Sequence, residues 1–465
     1  MTIFSMLYLP ELREMLAESD SEGLREFCTA LHPARTAEFM EGLTAAEAWQ
    51  VLQYADPDTR EEIFSYFEPD KQLEILQTQD RTEMAELVAE LASDDRVDLL
   101  HEADDGLVAE LLPLLPAEDR RDILRLKSYP EGVAGAVMTS DIAKLDEELR
   151  VREALNELTR QAEELETIYY LYVVDESDHL RGVVSTRQLL SAISRPETRL
   201  RDLMESDLAV VNVMDDQEEV ARKVAKFDLL AIPVVDDEFR LLGIITHDDV
   251  IDVMREEATE DAHLIAGVQP LDESYLKTPL LTLSRKRGMW LTILFITALF
   301  TAFALQHYEE DTQKYAWLVM FIPLVISAGG NTGTQSATLV ITALARGDVK
   351  LNDWVRVIRR ELVMGLLLGG FLAMIGFAAA MVLNRRLVSA TVVASTLVLV
   401  VLAGTLIGSM LPLVFRRLGL DPALMSNPFV TGIIDIMGIV IYMNVAMALI
   451  VLTGEAAALE AMTAD

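Results

Sequence analysis

The chain has 465 residues, with 39 Lys/Arg against 75 Asp/Glu, a net charge of −36 and 51% hydrophobic residues. Such acidity speaks against nucleic acid as a partner, and a single cysteine, Cys28, rules out an intrachain disulfide and fits a reducing cytoplasm. The charge is uneven: residues 285–465 hold 13 basic and 11 acidic residues, leaving 26 and 64 for residues 1–284, a net of −38 there.

The N-terminus, MTIFSMLYLPELREML, has no basic region followed by a long apolar core, so no cleavable signal peptide is expected. Residues 1–130 are predicted all-helical. Apolar residues recur at three and four spacing, as in Met84, Leu87, Val88 and Leu91. The pieces DPDTREEIF, EPDKQLEIL, SDDRVDLL and PAEDRRDIL each read as a helix start with an acidic first turn. Together they predict a small superhelix of repeated helical hairpins.

Residues 131–198 and 199–254 form an internal repeat. AVMTSDIAKLDEELRVREAL with LYVVDESDHLRGVVSTRQLLSA is matched by DLMESDLAVVNVMDDQEEVA with IPVVDDEFRLLGIITHDDVIDV. Each copy predicts a strand-like stretch, a helix, an apolar strand, an acidic turn, a strand carrying Gly182 or Gly243, and a second helix. This order resembles a pair of CBS domains, regulatory modules that bind nucleotides or ions between copies. The pattern's Ser/Thr-x-x-Asp is kept as Thr246-His247-Asp248-Asp249, whereas Gln188 replaces the Asp in the first copy. ATP, as one such nucleotide, is set against that departure.

Residues 247–280 are predicted to be a connecting helix leading to a membrane. Glu256 and Glu260, and Glu257 and Asp261, repel at (i, i+4) spacing, so a cation is expected nearby. His247 and His263 flank this acidic helix as metal-ligand candidates or as surface polar groups.

Five apolar segments follow: Met289–Gln306, Tyr315–Ala345, Leu362–Leu383, Val388–Phe415 and Pro428–Leu452. Each approaches or exceeds the ~20 residues that span a bilayer. They predict a multi-pass membrane domain over 285–455. With the N-terminal region inside, the inner flanks carry ten basic residues and the outer flanks three. That bias places the N-terminal domains in the cytoplasm and the C-terminus outside.

Two features of the spans carry chemistry. Asp435 lies inside the fifth, where a carboxylate costs roughly 2.5–3.5 kcal/mol on the insertion scale and is kept for a partner or a water-filled path. Thr431 and Asn427 lie one and two turns earlier on about the same face. The second span holds Gly329-Gly330-Asn331-Thr332-Gly333-Thr334-Gln335, read as an interruption whose freed carbonyls, with Asn331, Thr334 and Gln335, offer oxygen ligands. The same small residues also suit a helix kink or a close helix contact. Oxygen ligands without thiolate or imidazole favour Mg2+ over Zn or Cu.

An acidic helical domain, a CBS pair, an acidic connecting helix and five spans with PLVISAGGNTGTQSATLVITALARGD and RRLGLDPALMSNPFVTGIIDIMGIVIYMNVA stand in that order. This resembles the MgtE family of magnesium channels over essentially the whole chain. The resemblance implies a homodimer in the cell (inner) membrane, with a pore on the two-fold axis lined mainly by the second and fifth spans. It implies that Asp435 from each subunit holds hydrated Mg2+, with Asn427 and the Thr431 carbonyl shaping the path. It further implies regulatory Mg2+ at Asp94 and Asp98, at Asp216, Glu218 and Asp228, at Asp249, Asp252, Glu257, Glu260 and Asp261 on the connecting ("plug") helix, and at Asp421. Bound Mg2+ would hold the plug helix against the pore. Co2+, Ni2+ and Mn2+ are further candidate ions. An Na+- or H+-coupled carrier and a membrane-anchored nucleotide sensor are the alternatives. No nucleophile–base set or phosphate-binding loop points to an enzyme.

Overall fold

The computed structural model describes residues 3–162, 165–271 and 275–453. The chain divides after Arg255 into two compact units.

The first unit opens with ten helices: α1 (Ile3–Glu18), α2 (Ser21–Ala30), α3 (Pro33–Met40), α4 (Ala45–Leu52), α5 (Pro57–Ser65), α6 (Pro69–Thr78), α7 (Arg81–Glu90), α8 (Ser93–Glu102), α9 (Asp105–Leu111) and α10 (Ala117–Leu126). Their short lengths are written into their starts. Asp56 caps α5 by accepting the Thr59 N–H at 3.1 Å, with Pro57 at the first helical position. Asp80 caps α7, and Thr44 and Glu47 form a capping box on α4. Such caps satisfy N–H groups that lack a helical partner. The apolar faces, including Met40, Leu52, Ile63, Ile75, Val88 and Leu100, form one core that continues into Val220, Val250 and Val253 of the second CBS copy.

Both CBS copies have the same three-stranded sheet. In the first, β1 (Lys144–Asp146) pairs parallel with β2 (Tyr170–Val174), which pairs antiparallel with β3 (Leu180–Ser185). In the second, β4 (Val211–Asn212), β5 (Ala231–Val235) and β6 (Leu241–Thr246) repeat this, with the irregularity at the same place, Val173/Val174 and Val234/Val235. The repeated glycines have a steric reason. A Cβ on Gly182 would lie 2.8 Å from the Glu205 carbonyl, and one on Gly243 would lie 2.5 Å from the Thr139 carbonyl. Helices α11 (Val151–Gln161), α12 (Thr186–Ser191) and α13 (Gln217–Phe227) complete the pair.

Helix α14 (His247–Ile265) begins in the first unit and ends in the second. It stops well short of residue 280. Gly267 follows at φ 74°, a left-handed conformation that glycine adopts without strain and that commonly ends helices. Residues 272–274 of the expected connecting segment lie outside the described residues.

The second unit contains α15 (Leu280–His307), the short α16 (Glu309–Lys314), α17 (Trp317–Ala345), α18 (Trp354–Asn384), α19 (Leu387–Arg417) and α20 (Asn427–Leu452). All but α16 are long and apolar enough to cross a membrane. The end of the expected membrane domain, 454–455, and the C-terminus lie outside the described residues. Helix α17 is one continuous helix, which corrects the reading of an interrupted span. In a membrane a helix satisfies its own backbone. The glycines serve packing instead: a Cβ on Gly404 of α19 would lie 2.7 Å from the Gly329 carbonyl, and one on Gly408 would collide with the Gly333 carbonyl.

Candidate functional site

In the second unit, α20 presents Asp435 to α17. Pro428 sits in the first turn of α20, where a missing N–H costs nothing. A Cβ on Gly330 would lie 2.9 Å from Thr431 Cγ2 and 3.5 Å from Asp435 Oδ1. The carboxylate therefore lies over a position without a side chain. Its Oδ1 is buried and has no hydrogen-bond partner among the described residues. A buried acceptor without a donor is costly, and a hydrated cation or water is its natural complement.

Thr431 donates its hydroxyl to the Asn427 carbonyl at 3.0 Å, and Asn427 Oδ1 accepts from the Thr338 hydroxyl at 3.2 Å. Asp435, Thr431 and Asn427 thus line one seam between α20 and α17. Asn331 and Gln335 lie on the exposed surface of α17. Asn331 Nδ2 donates to Ser327 Oγ at 3.2 Å, and Thr334 donates to the Asn331 carbonyl at 2.9 Å. The freed backbone carbonyls expected in this run are not formed, since its peptide groups lie inside the helix. Sequence reasoning missed Thr338, and also Glu361, half-buried on α18, whose Oε2 accepts from the Ser336 hydroxyl at 2.8 Å. The available signal was an acid adjoining an apolar run.

The first unit holds a second acidic constellation. Asp249, in the first turn of α14, lies near enough to perturb Asp94, in the first turn of α8. Burial, then Asp249 and Asp95, drive Asp94 well above the usual carboxylate range. Burial, then Asp95, raises Glu61 to about 7, and burial, then Asp249, raises Glu166 to about 7. Asp249 is raised to about 6, chiefly by burial, although the Thr246 hydroxyl and N–H that it accepts pull the other way. Asp94 Oδ1 is buried without a hydrogen-bond partner among the described residues. Glu61, Asp95 and Glu166 border a cleft of about 1260 Å³ that Arg96, Arg121 and Arg125 also line. Glu61, Asp95 and Glu166 were not singled out in the sequence, because only folding brings α5, α8, the segment before β2 and α14 together.

The α8 start is also latched to the CBS region. Asp141 accepts the Ser93 N–H at 3.0 Å, the Ser93 and Thr139 hydroxyls lie 3.0 Å apart, and the Ser140 N–H donates to Ser93 Oγ at 2.7 Å.

The remaining expected metal residues have local tasks. Asp216 caps α13, Glu218 pairs with Arg222 at 2.5 Å, and Asp228 ends α13 in the left-handed region. Asp252 pairs with Arg255 at 3.1 Å, and Asp421 accepts the Ala423 N–H at 2.8 Å. Asp98, Glu257 and Asp261 each engage a neighbour, and Glu260 is exposed. His247 lies 3.8 Å from Asp248, whereas His263 Nδ1 is buried without a hydrogen-bond partner among the described residues. Among the described residues no three acidic, His or Cys side chains enclose an ion by themselves. A hard cation here would complete its shell with water and backbone carbonyls, as Mg2+ commonly does. Gln188 Oε1 accepts from the Ser185 N–H and hydroxyl at 2.7 and 2.8 Å, and its Nε2 donates to Glu205 at 2.9 Å.

Family models match three parts of the chain: "Divalent cation transporter" over residues 322–445, "MgtE intracellular N domain" over 31–132, and "CBS domain" over 134–195 and 200–256. The chain is 38% identical over 442 residues to the magnesium transporter MgtE of Thermus thermophilus, covering 94% of this chain and 98% of that protein. It is 36% identical over 321 residues to the magnesium transporter MgtE of Enterococcus faecalis, covering 69% and 70% respectively. A crystal structure of the soluble part of a magnesium transporter superposes with a TM-score of 0.51 at 34% identity, covering 55% of this chain and 99% of that one. With five helices of membrane-spanning length and a match across nearly the whole chain, the protein belongs to the MgtE family of magnesium transporters.

Proposed function

We propose that two copies of the chain form a Mg2+-selective channel, with Asp435 as the ion-facing carboxylate and the acidic cytoplasmic residues as its Mg2+ sensor. The observation that carries this reading is the buried, unpartnered Asp435 Oδ1 over Gly330. Dimerisation is supported by Asn331 and Gln335, polar groups exposed on a membrane helix of the single subunit. Lipid cannot satisfy them, whereas a water-filled path shared with a second copy can. The basic flanks support cytoplasmic N-terminal domains and an external C-terminus.

For regulation, the ionised carboxylates of Asp94, Asp95, Glu166 and Asp249 repel one another and oppose the compact first unit. Bound Mg2+ supplies the missing positive charge. Asp94 and Asp249 fit such an ion, since their carboxyls are crowded by like charge and Asp94 Oδ1 lacks a donor. We assign Asp98, Asp216, Glu218, Asp228, Asp252, Glu257, Glu260, Asp261 and Asp421 to the same sensor as supporting acidic positions. Only preferential affinity for the compact state shifts the balance. ATP fits poorly beside this cluster unless accompanied by a neutralising cation, and Gln188 is committed to Ser185 and Glu205.

The test is Mg2+ uptake into liposomes carrying the purified full chain, without a Na+ or proton gradient, with and without internal Mg2+. Passive uptake is expected, suppressed by internal Mg2+ and abolished or made unselective by Asp435→Ala. Uptake that appears only with an imposed Na+ or proton gradient would overturn the channel in favour of a carrier.

A further inference from the structure

The membrane-length helices α15, α17, α18, α19 and α20 contain two acidic residues between them, Asp435 and Glu361. The ion path leaves Glu361 without a role. It lies two turns into α18, and its Oε2 accepts from the Ser336 hydroxyl of α17 at 2.8 Å. Ser336 is 6% exposed, and it stands six residues beyond Gly330, a rise of about 9 Å along the helix. The Glu361 carbonyl in turn accepts from the Thr405 hydroxyl of α19 at 3.3 Å. One residue therefore ties α17 to α18 through its side chain and α18 to α19 through its backbone.

These bonds act together with the Arg416 side chain of α19, which donates to the Leu344 carbonyl of α17 at 3.0 Å, in holding the register of α17. Gly404 and Gly408 meet α17 backbone rather than interlocking side chains. Where the helix backbones approach this closely, a small rotation or slide of α17 also changes the contact of Gly330 with Asp435 and Thr431. A bond to an ionised acceptor is directional and about twice as strong as a neutral one. A carboxylate at this depth is also costly unless it is used.

We propose that Glu361 is a positioning residue of the ion path: through Ser336 it sets the rotation and depth of α17, and so the fit of Gly330 against Asp435. The proposal rests on Asp435 being the ion-facing group.

The experiment compares Mg2+ flux, and its ratio to Ca2+ flux, for full-length Glu361→Leu, Glu361→Gln, Ser336→Ala, the Glu361→Leu/Ser336→Ala double variant and Asp435→Ala. Fluxes are taken per folded protein in the same liposomes. Glu361→Leu and Ser336→Ala should each cut Mg2+ flux about 10-fold, the size expected for one hydrogen bond to a charged group, and lower the Mg2+/Ca2+ ratio. The double variant should be no worse than either single one, because one bond is lost in all three. Glu361→Gln, which keeps an acceptor for Ser336, should recover most of the flux and the ratio. If Glu361→Leu does not fold, Ser336→Ala and Glu361→Gln carry the comparison. Wild-type flux and ratio in Ser336→Ala, or an uncorrected defect in Glu361→Gln, overturns the proposal while Asp435→Ala still abolishes uptake. An unaffected Asp435→Ala overturns the ion-path reading itself.

Discussion

Asp435 and Gly330 work as a pair, and neither is explained without the other. The carboxylate has room because position 330 carries no side chain. A Gly330→Ala methyl would sit 2.9 Å from Thr431 Cγ2, tighter than an ordinary contact, and 3.5 Å from Asp435 Oδ1. Since the closer neighbour is a side-chain methyl rather than backbone, the protein should still fold, destabilised by about 1–3 kcal/mol. Mg2+ uptake, by contrast, should fall several-fold, which a liposome flux assay beside a thermal melt would separate. Asp94 makes a complementary case in the first unit. Its ionised form is opposed by burial and by Asp249. Asp94→Asn removes that repulsion and one candidate Mg2+ ligand together. In chelator, the variant should resist limited proteolysis between the N-terminal helices and the CBS pair about 3- to 10-fold better than wild type, equivalent to about 1 kcal/mol. Added Mg2+ should then protect it less than it protects wild type. Faster cleavage of Asp94→Asn in chelator would contradict the charge-repulsion account.

Among the elements, α14 and α17 depart most from what their residues suggest. The acidic run predicts a helix over 247–280, but Gly267 ends it early in the left-handed region, beside Ser426 and Pro428 at the start of α20. An alanine there is strained by about 1 kcal/mol. Gly267→Ala should therefore shift the internal Mg2+ concentration that half-inhibits uptake while leaving the Mg2+/Ca2+ flux ratio as in wild type. A changed ratio with unchanged inhibition would show that this turn serves ion passage rather than inhibition by Mg2+. For α17, three glycines and neighbouring polar residues were legible as a special segment, but not as an unbroken helix. The deciding partner, the glycine face of α19, lies about 70 residues further along the chain.

At the scale of the molecule, the net charge of −38 over residues 1–284 becomes a pH dependence. Glu61 and Glu166 are raised from 4.5 to about 7 and Asp249 from 3.8 to about 6, burial leading in each case. The folded first unit therefore binds more protons than the unfolded chain between about pH 4 and 7, so its stability falls as pH rises through that window. In chelator, the first thermal transition of the full chain should move up by a few degrees between about pH 8 and pH 6. Saturating Mg2+ should raise it at pH 8 and flatten the slope, because ion and proton neutralise the same carboxylates. A transition that rises with pH in chelator would reverse the assignment. Composition, apolar run length and the CBS repeat were enough to specify five membrane helices, an acidic helical domain and a CBS pair, because each residue's preference for water or oil is its own property. They also singled out Asp435, since a charge inside an apolar run is visible without a fold. Packing alone decided that the glycine run stays helical, that Glu361 meets Ser336, and that Asp94 meets Asp249 across about 150 residues of chain. Those pairings depend on how closely whole elements approach, and that distance belongs to no single residue.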